Sequence, residues 1–172
     1  MMDRDFFRRA ALDIAPELIG KILVRTYSDG TVKRLHITET EAYAGAEDSA
    51  CYAHKGRTKR SEMLYRDGGT MFVHLCYGMH WMLNIVTGPV GKPQGILIRG
   101  VEGYDGPGKL TKALDIGKSF DGHDILCCPE LGLENSEDLV DITCCKRIGI
   151  AYAAPEDQEK LWRFTAKRNV NG

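Results

Sequence analysis

Glu39 and Glu41 stand two residues apart in His36-Ile37-Thr38-Glu39-Thr40-Glu41-Ala42-Tyr43, where a strand-like run passes into a loop. Side chains alternate along a strand, so both acids share one face. Like charges held side by side and partly buried raise each other's pKa, which suits a general base. The same spacing also fits two solvated carboxylates at a strand end. A second candidate is Tyr77, followed by Gly78 between two β-rich runs. A large aromatic at a hairpin tip can act as a wedge in a base stack, as in proteins that deform a duplex or extrude a base. Packing back onto its own hairpin is the other reading. His74, Cys76 and His80 have spacings that a zinc site could use, but two of them fall inside the hairpin and no fourth ligand follows. Cys127-Cys128 and Cys144-Cys145 are adjacent pairs, unlike the CxxC of a metal knuckle, and read as thiols in or near a reduced core.

The elements that must hold these residues follow from apolar spacing and turn residues. Phe6 to Ile19 has helical spacing, divided by Pro16 into two short helices. Lys21 to Thr26 and Thr31 to Glu41 read as strands joined by a turn at Ser28-Asp29-Gly30. Ala42 to Asp67 is small, polar and basic, a length of irregular chain that is usually functional or disordered. Thr70 to Cys76, Trp81 to Val86 and Ile96 to Val101 are further strands, and Gly106-Pro107-Gly108 opens a helix through Leu114. The stretch from Gly117 to Glu137 is poor in pattern, Ile142 to Ala153 reads as a strand, and Pro155 opens a last helix toward Trp162. With no repeat or linker, residues 1–172 read as one α+β domain.

Composition narrows the function classes. A chain of 172 residues buries roughly 70% of its unfolded surface, enough for one core. Hydrophobic residues at 43% and charged residues at 27% exclude a disordered or fibrous chain. No apolar run approaches the ~18 residues of a membrane span, and the acidic start at Met1-Met2-Asp3-Arg4-Asp5 leads into no secretory h-region. A cytoplasmic, reduced protein is expected, so the six cysteines do not read as a disulfide framework. Net charge is −1, which argues mildly against a nucleic-acid partner. Yet Lys55, Arg57, Lys59, Arg60 and Arg66 cluster against Glu62 alone, and Lys160, Arg163, Lys167 and Arg168 crowd the C-terminus, while Glu130, Glu134, Glu137, Asp138 and Asp141 run without a cation. The charge is segregated.

Glu39-Thr40-Glu41-Ala42-Tyr43, Glu47-Asp48, Gly56-Arg57-Thr58, Tyr77-Gly78-Met79-His80, Asn84, Leu97-Ile98-Arg99, Gly106-Pro107-Gly108-Lys109-Leu110, Arg147-Ile148-Gly149-Ile150 and Trp162-Arg163-Phe164 follow one another in this order. Together they resemble the alkyladenine (3-methyladenine) DNA glycosylase family over nearly the whole chain. The resemblance implies a single domain with a curved, barrel-like antiparallel sheet, surrounding helices and a protruding hairpin. Its outline is similar to the small C-terminal domain of methionyl-tRNA formyltransferases. The implied activity is monofunctional: excision of alkylated or deaminated purines from double-stranded DNA. A location at the nucleoid is expected, and a monomer suits a protein that must grip a duplex. No metal, cofactor or nucleophilic lysine is required.

By resemblance, Glu41 is the general base, and Arg99 and the carbonyl of Ile148 hold the attacking water. Tyr43 stacks on the extruded base, Asn84 disfavours guanine, Tyr77 and Met79 enter the duplex, and Arg57, Arg60 and Lys109 touch phosphates. Two pocket positions depart from the family, which commonly has a histidine at Tyr52 and a tyrosine at His74. Stacking on neutral bases such as hypoxanthine is then expected to weaken, and a protonated His74 to repel cationic lesions. A nucleic-acid-binding module that recognises without catalysing is a second reading, opposed by Glu41 and Arg99 occurring together. A zinc or thiol protein built on the cysteine pairs is a third.

Overall fold

The computed structural model describes residues 2–138 and 140–167; of the residues weighed above, Arg168 lies outside this range. Two short helices open the chain, α1 (Arg4–Phe7) and α2 (Ala11–Glu17). The break falls at Arg8 to Ala10, and Pro16 sits inside α2 instead of ending it. In the last turn of so short a helix a proline removes a single amide, and the bond from the Leu18 amide to the Ile14 carbonyl (3.0 Å) carries the turn past it. A bidentate pair between Arg9 and Glu17 (2.6 and 3.1 Å) spans the helix from outside.

The strands are β1 (Ile22–Thr26), β2 (Val32–Tyr43), β3 (Met71–Cys76), β4 (His80–Thr87), β5 (Gln94–Val101), β6 (Tyr104–Asp105), β7 (Leu131–Glu134), β8 (Ile142–Cys145) and β9 (Arg163–Ala166). Every pairing among them is antiparallel, in the order β3-β4-β5-β2-β1-β7, with β6 beside β5 and β9 between β2 and β8. The sheet curls into a half-barrel. Its pivot is β2: residues 32–36 pair with β1, residues 37–43 pair with β5, and residues 39–41 pair with β9 on the other side. Among the described residues no helix is long and apolar enough to cross a membrane.

One face of the sheet carries Met71, Ile85, Ile96 and Ala42 in one cross-strand line, with Val73, Leu83, Ile98 and Phe164 beside it. This face packs on α1, α2 and α3 (Pro107–Ala113), whose Phe7, Ile14, Ala15 and Leu110 are fully buried. The opposite face is half covered by the 51–65 segment. Cys51, Ala53 and Leu64 pack there against Phe72 and Val86 in a second, smaller apolar cluster. That segment is ordered by two 3-10 turns, Tyr52–Lys55 and Glu62–Tyr65.

The later chain differs from the sequence reading. The pattern-poor stretch contains β7, because Leu131 and Leu133 pair beside β1 at a sheet edge where four residues suffice. Only Ile142–Cys145 is strand; residues 146–154 leave the sheet as a loop, and the apolar Ile150 and Ala153 bury against Ala50 instead. The last helix, α4 (Pro155–Glu159), stops short of Trp162, and Arg163 already belongs to β9.

Ile98, wholly buried at the centre of β5, reports on this core. Ile98→Ala is expected to cost about 2–5 kcal/mol, read by urea unfolding with an unchanged slope.

Candidate active site

The outer ladder of the sheet builds the site. Phe72 (β3), Asn84 (β4), Leu97 (β5), Glu41 (β2) and Arg163 (β9) are register partners across five strands, so one face presents them in a row. Beyond this row the β2–β5 register slips twice. Ile37 opposes Val101, Glu39 opposes Gly100 and Thr40 opposes Ile98, which leaves Thr38 and then Arg99 as extra residues. Such bulges bend a strand and re-aim a side chain. Here they bring Arg99 between the two acids: its Nε lies 3.1 Å from Glu39 Oε1 and 3.7 Å from Glu41 Oε1. Arg163 Nη1 reaches Glu39 from the other side at 3.0 Å.

Glu41 is the better enclosed acid, its side chain 0% exposed against 17% for Glu39. Its Oε1 accepts the Ile148 amide at 2.7 Å and its Oε2 accepts the Tyr43 hydroxyl at 2.7 Å. Burial pushes the Glu41 carboxyl above its ordinary value, while Arg99, the Ile148 amide and the Tyr43 hydroxyl pull it back, and nearby Glu39 adds to the rise. Burial, and then the charge of Glu41, hold the Tyr43 phenol well above its usual range. Neither acid is a solvated strand end, and Arg99 is not a surface ion pair. The Ile148 amide thus ties the loop after β8 to Glu41.

A cavity of about 970 Å³ opens over this cluster. Tyr43, Tyr52, Phe72, His74, Asn84 and Arg99 are among its walls. Tyr52, Phe72 and His74 form an aromatic group, with ring centroids 5.1 Å apart for Tyr52–His74 and 4.6 Å for Phe72–His74. Burial holds the His74 imidazole below its ordinary value; the Leu75 carbonyl opposes the shift and Arg60 adds to it. Asn84 donates to the Phe72 and Met82 carbonyls (3.1 and 3.4 Å), which locks its amide against the wall. No aspartate or glutamate lines the cavity among the described residues, whereas Lys55, Arg60 and Arg99 do.

At the rim the β3–β4 hairpin projects. Tyr77 (φ 51°) and Gly78 (φ 66°) occupy the left-handed region, and the Met79 amide closes the turn on the Cys76 carbonyl at 3.1 Å. Glycine adopts this freely; tyrosine does so at a cost. Tyr77 is 84% and Met79 71% exposed, so neither folds back on the hairpin. Of the basic candidates, Arg57 is exposed and forks onto Glu62 (2.6 and 2.8 Å), and Lys109 is exposed in the first turn of α3. Arg60 is also exposed and lies over Tyr52: it donates to the Tyr52 hydroxyl at 3.0 Å, its guanidinium 4.4 Å from the ring centre. Among the described residues no three His, Cys, Asp or Glu side chains converge as a metal site, so His74, Cys76 and His80 do not assemble a ligand set. All six cysteines are free thiols.

Sequence reasoning gave no role to Phe72, Tyr152, Asp48 or Arg147. Phe72 was legible in principle, two residues before His74 on one strand face. Tyr152, whose hydroxyl donates to the Ala50 carbonyl at 2.7 Å, carried no signal, because it comes from the loop read as a strand.

The methylpurine-DNA glycosylase family model matches residues 5–105 and 103–170. A relative from Borreliella burgdorferi (strain ZS7) is 42% identical over 98% of this chain and 97% of its own length. Relatives from Natranaerobius thermophilus (36%, covering 98% and 96%) and Methanocella arvoryzae (38%, covering 98% and 94%) are similar throughout. All three carry the name 3-methyladenine DNA glycosylase, assigned to them provisionally. The chain belongs to the methylpurine-DNA glycosylase family. In this DNA glycosylase Tyr52 and His74 pack against each other on the cavity wall.

Because the folded enzyme binds a proton at Glu41 more tightly than the unfolded chain does, Glu41 lowers stability as pH rises through the interval from the ordinary carboxyl value to its raised one. Glu41→Gln is therefore expected to melt at a higher temperature than wild type at about pH 8, with the gap closing towards about pH 4. Scanning calorimetry at the two pH values checks this; a gap that is constant with pH would contradict it.

Proposed function

We propose that this glycosylase flips a damaged purine nucleotide out of duplex DNA into the 970 Å³ cavity and cleaves its N-glycosidic bond with a water activated by Glu41. The observation that carries the reading is a fully buried glutamate held by an arginine, a backbone amide and a phenol, directly behind Tyr43, Arg99 and Ile148 of the cavity wall, with an exposed tyrosine hairpin at the rim. The electron pair of the breaking bond leaves with the base, and the deoxyribose develops oxocarbenium character. Water attacks the sugar carbon and yields its proton to Glu41, whose charge also stabilises the cation. Arg99, with the Ile148 carbonyl, orients the water. An abasic site remains and no strand is cut.

Tyr77 and Met79 fill the gap left in the stack, and Tyr43, Tyr52 and His74 surround the flipped base. Asn84, pinned by its own donors, crowds an exocyclic amine at that edge and so disfavours guanine. Arg57, Arg60 and Lys109 meet phosphates, and the cationic cavity lining favours the flipped nucleotide's backbone. Since His74 is held below its ordinary pKa, it is neutral at pH 7 and does not repel a cationic lesion there. The loss expected for cationic lesions is displaced to more acidic pH. The smaller imidazole still stacks less surface on a neutral base such as hypoxanthine.

The test uses end-labelled duplexes with a single hypoxanthine or stabilised alkylpurine, alkali added afterwards, and wild type, Glu41→Gln and an EDTA-treated sample in parallel. Alkali-dependent cleavage that survives EDTA and falls about 10²–10⁴-fold in Glu41→Gln is expected. Lesion-specific binding without cleavage by wild type would favour a recognition module instead. Tyr77→Ala should leave the melting temperature unchanged and slow excision from duplex more than from single strands; equal slowing on both would remove the wedge role. Affinity for DNA should fall steeply between about 50 and 200 mM salt, measured by fluorescence anisotropy.

A further inference from the structure

Behind Glu41 lies a second ion pair that the reaction does not use. Arg147 and Asp48 have side chains 0% and 1% exposed and are joined by two bonds, Nη1 to Oδ2 at 2.6 Å and Nη2 to Oδ1 at 2.8 Å. The guanidinium also donates to the Ala42 carbonyl (3.0 Å) and the Asp157 carbonyl (3.4 Å), and lies 5.0 Å from the Tyr43 ring centre and 4.9 Å from that of Trp162. Its Nε is buried without a partner. Asp48 is fixed in turn by the Ala44 and Ala50 amides at 3.0 and 3.1 Å. The loop after β2 is thus tied to the loop after β8. One residue along from Arg147, the Ile148 amide bonds Glu41, and the Tyr43 ring beside Arg147 sends its hydroxyl to the other oxygen.

We propose that Arg147, clamped by Asp48, is a positioning residue that sets both hydrogen-bond donors of Glu41 and thereby the ionised base. The proposal rests on the Glu41 assignment made above. A buried ion pair is weak evidence of stabilisation, since an apolar replacement of similar volume is often neutral. What an apolar replacement could not supply here is the fork that holds two carbonyls and a carboxylate from separate segments.

The charged and titratable groups facing Glu41 are Glu39 and Tyr43 on β2, Arg99 on β5, Arg163 on β9 acting through Glu39, and Arg147 backed by Asp48 on the two loops. Both donors favour the carboxylate form. If they are displaced, Glu41 takes up its proton at higher pH, and the acid limb of the excision rate moves up, because only the ionised base is active.

Single-turnover excision against pH, duplex affinity and circular dichroism are measured for Arg147→Lys, Asp48→Asn and Arg147→Met, with Glu41→Gln alongside. Arg147→Lys keeps the charge and loses the fork; it is expected to excise about 10- to 100-fold more slowly, with the acid limb shifted to higher pH and lesion-duplex affinity kept. Asp48→Asn should behave alike. Wild-type rate and acid limb in folded Arg147→Lys and Asp48→Asn would overturn the proposal. So would a limb shifted in Arg147→Met but not in Arg147→Lys, which would make the effect one of charge, or the failure of all three variants to fold, which would make the pair a structural staple. Glu41→Gln as active as wild type would instead overturn the base assignment itself, whatever Arg147→Lys does.

Discussion

The rest of the site depends on keeping one carboxylate, Glu41, out of water. An isolated ionised carboxyl group in a protein interior is strongly unfavourable unless it is neutralised or hydrogen-bonded. This protein surrounds Glu41 with a partial answer: one cation at 3.7 Å, one amide and one phenol at 2.7 Å. The compensation falls short of the desolvation, so the group is left with a raised proton affinity. In the reaction proposed above, a carboxylate in that condition gains by taking a proton from water. On that proposal, activity and stability pull against each other at this residue.

The fold supplies that environment through a few geometric devices. Strand β2 is shared by three neighbours, which encloses Glu41 between β5 and β9. The paired bulges at Thr38 and Arg99 turn an ordinary ladder position into a point where a guanidinium lies between two acids. The 51–65 segment covers only part of the sheet face, and the uncovered part is the cavity. Gly45 permits the turn before this segment: at φ 93° it sits where a Cβ would collide with the Pro93 carbonyl oxygen.

Legibility differed by scale. The five longer strands, the two opening helices, the hairpin at Tyr77 and the helix after Gly106 were all visible, because each buries one face against a single core and shows that in its apolar period. Strands β6, β7 and β9 were not. They are two to four residues long and exist because an edge of the curled sheet was available to them, so no local pattern marks them. Pro16 misled for a related reason: a proline ends a helix that needs to continue, and α2 did not need to.

For the site, the sequence by itself determined the residue types: two acids of one strand face, an aromatic beside a glycine between two β-rich runs, an arginine closing an apolar strand, and an order of motifs that points to one family. Only the tertiary structure decided which acid is enclosed. Glu39 and Glu41 are equivalent by spacing, and the bulges and the β9 edge make one the partner of two arginines and the other the buried acid. The Ile148 amide and the Arg147–Asp48 clamp belong to the same class of fact. Each acts across a sequence separation that no period spans, and each is set by where packing brings distant segments together.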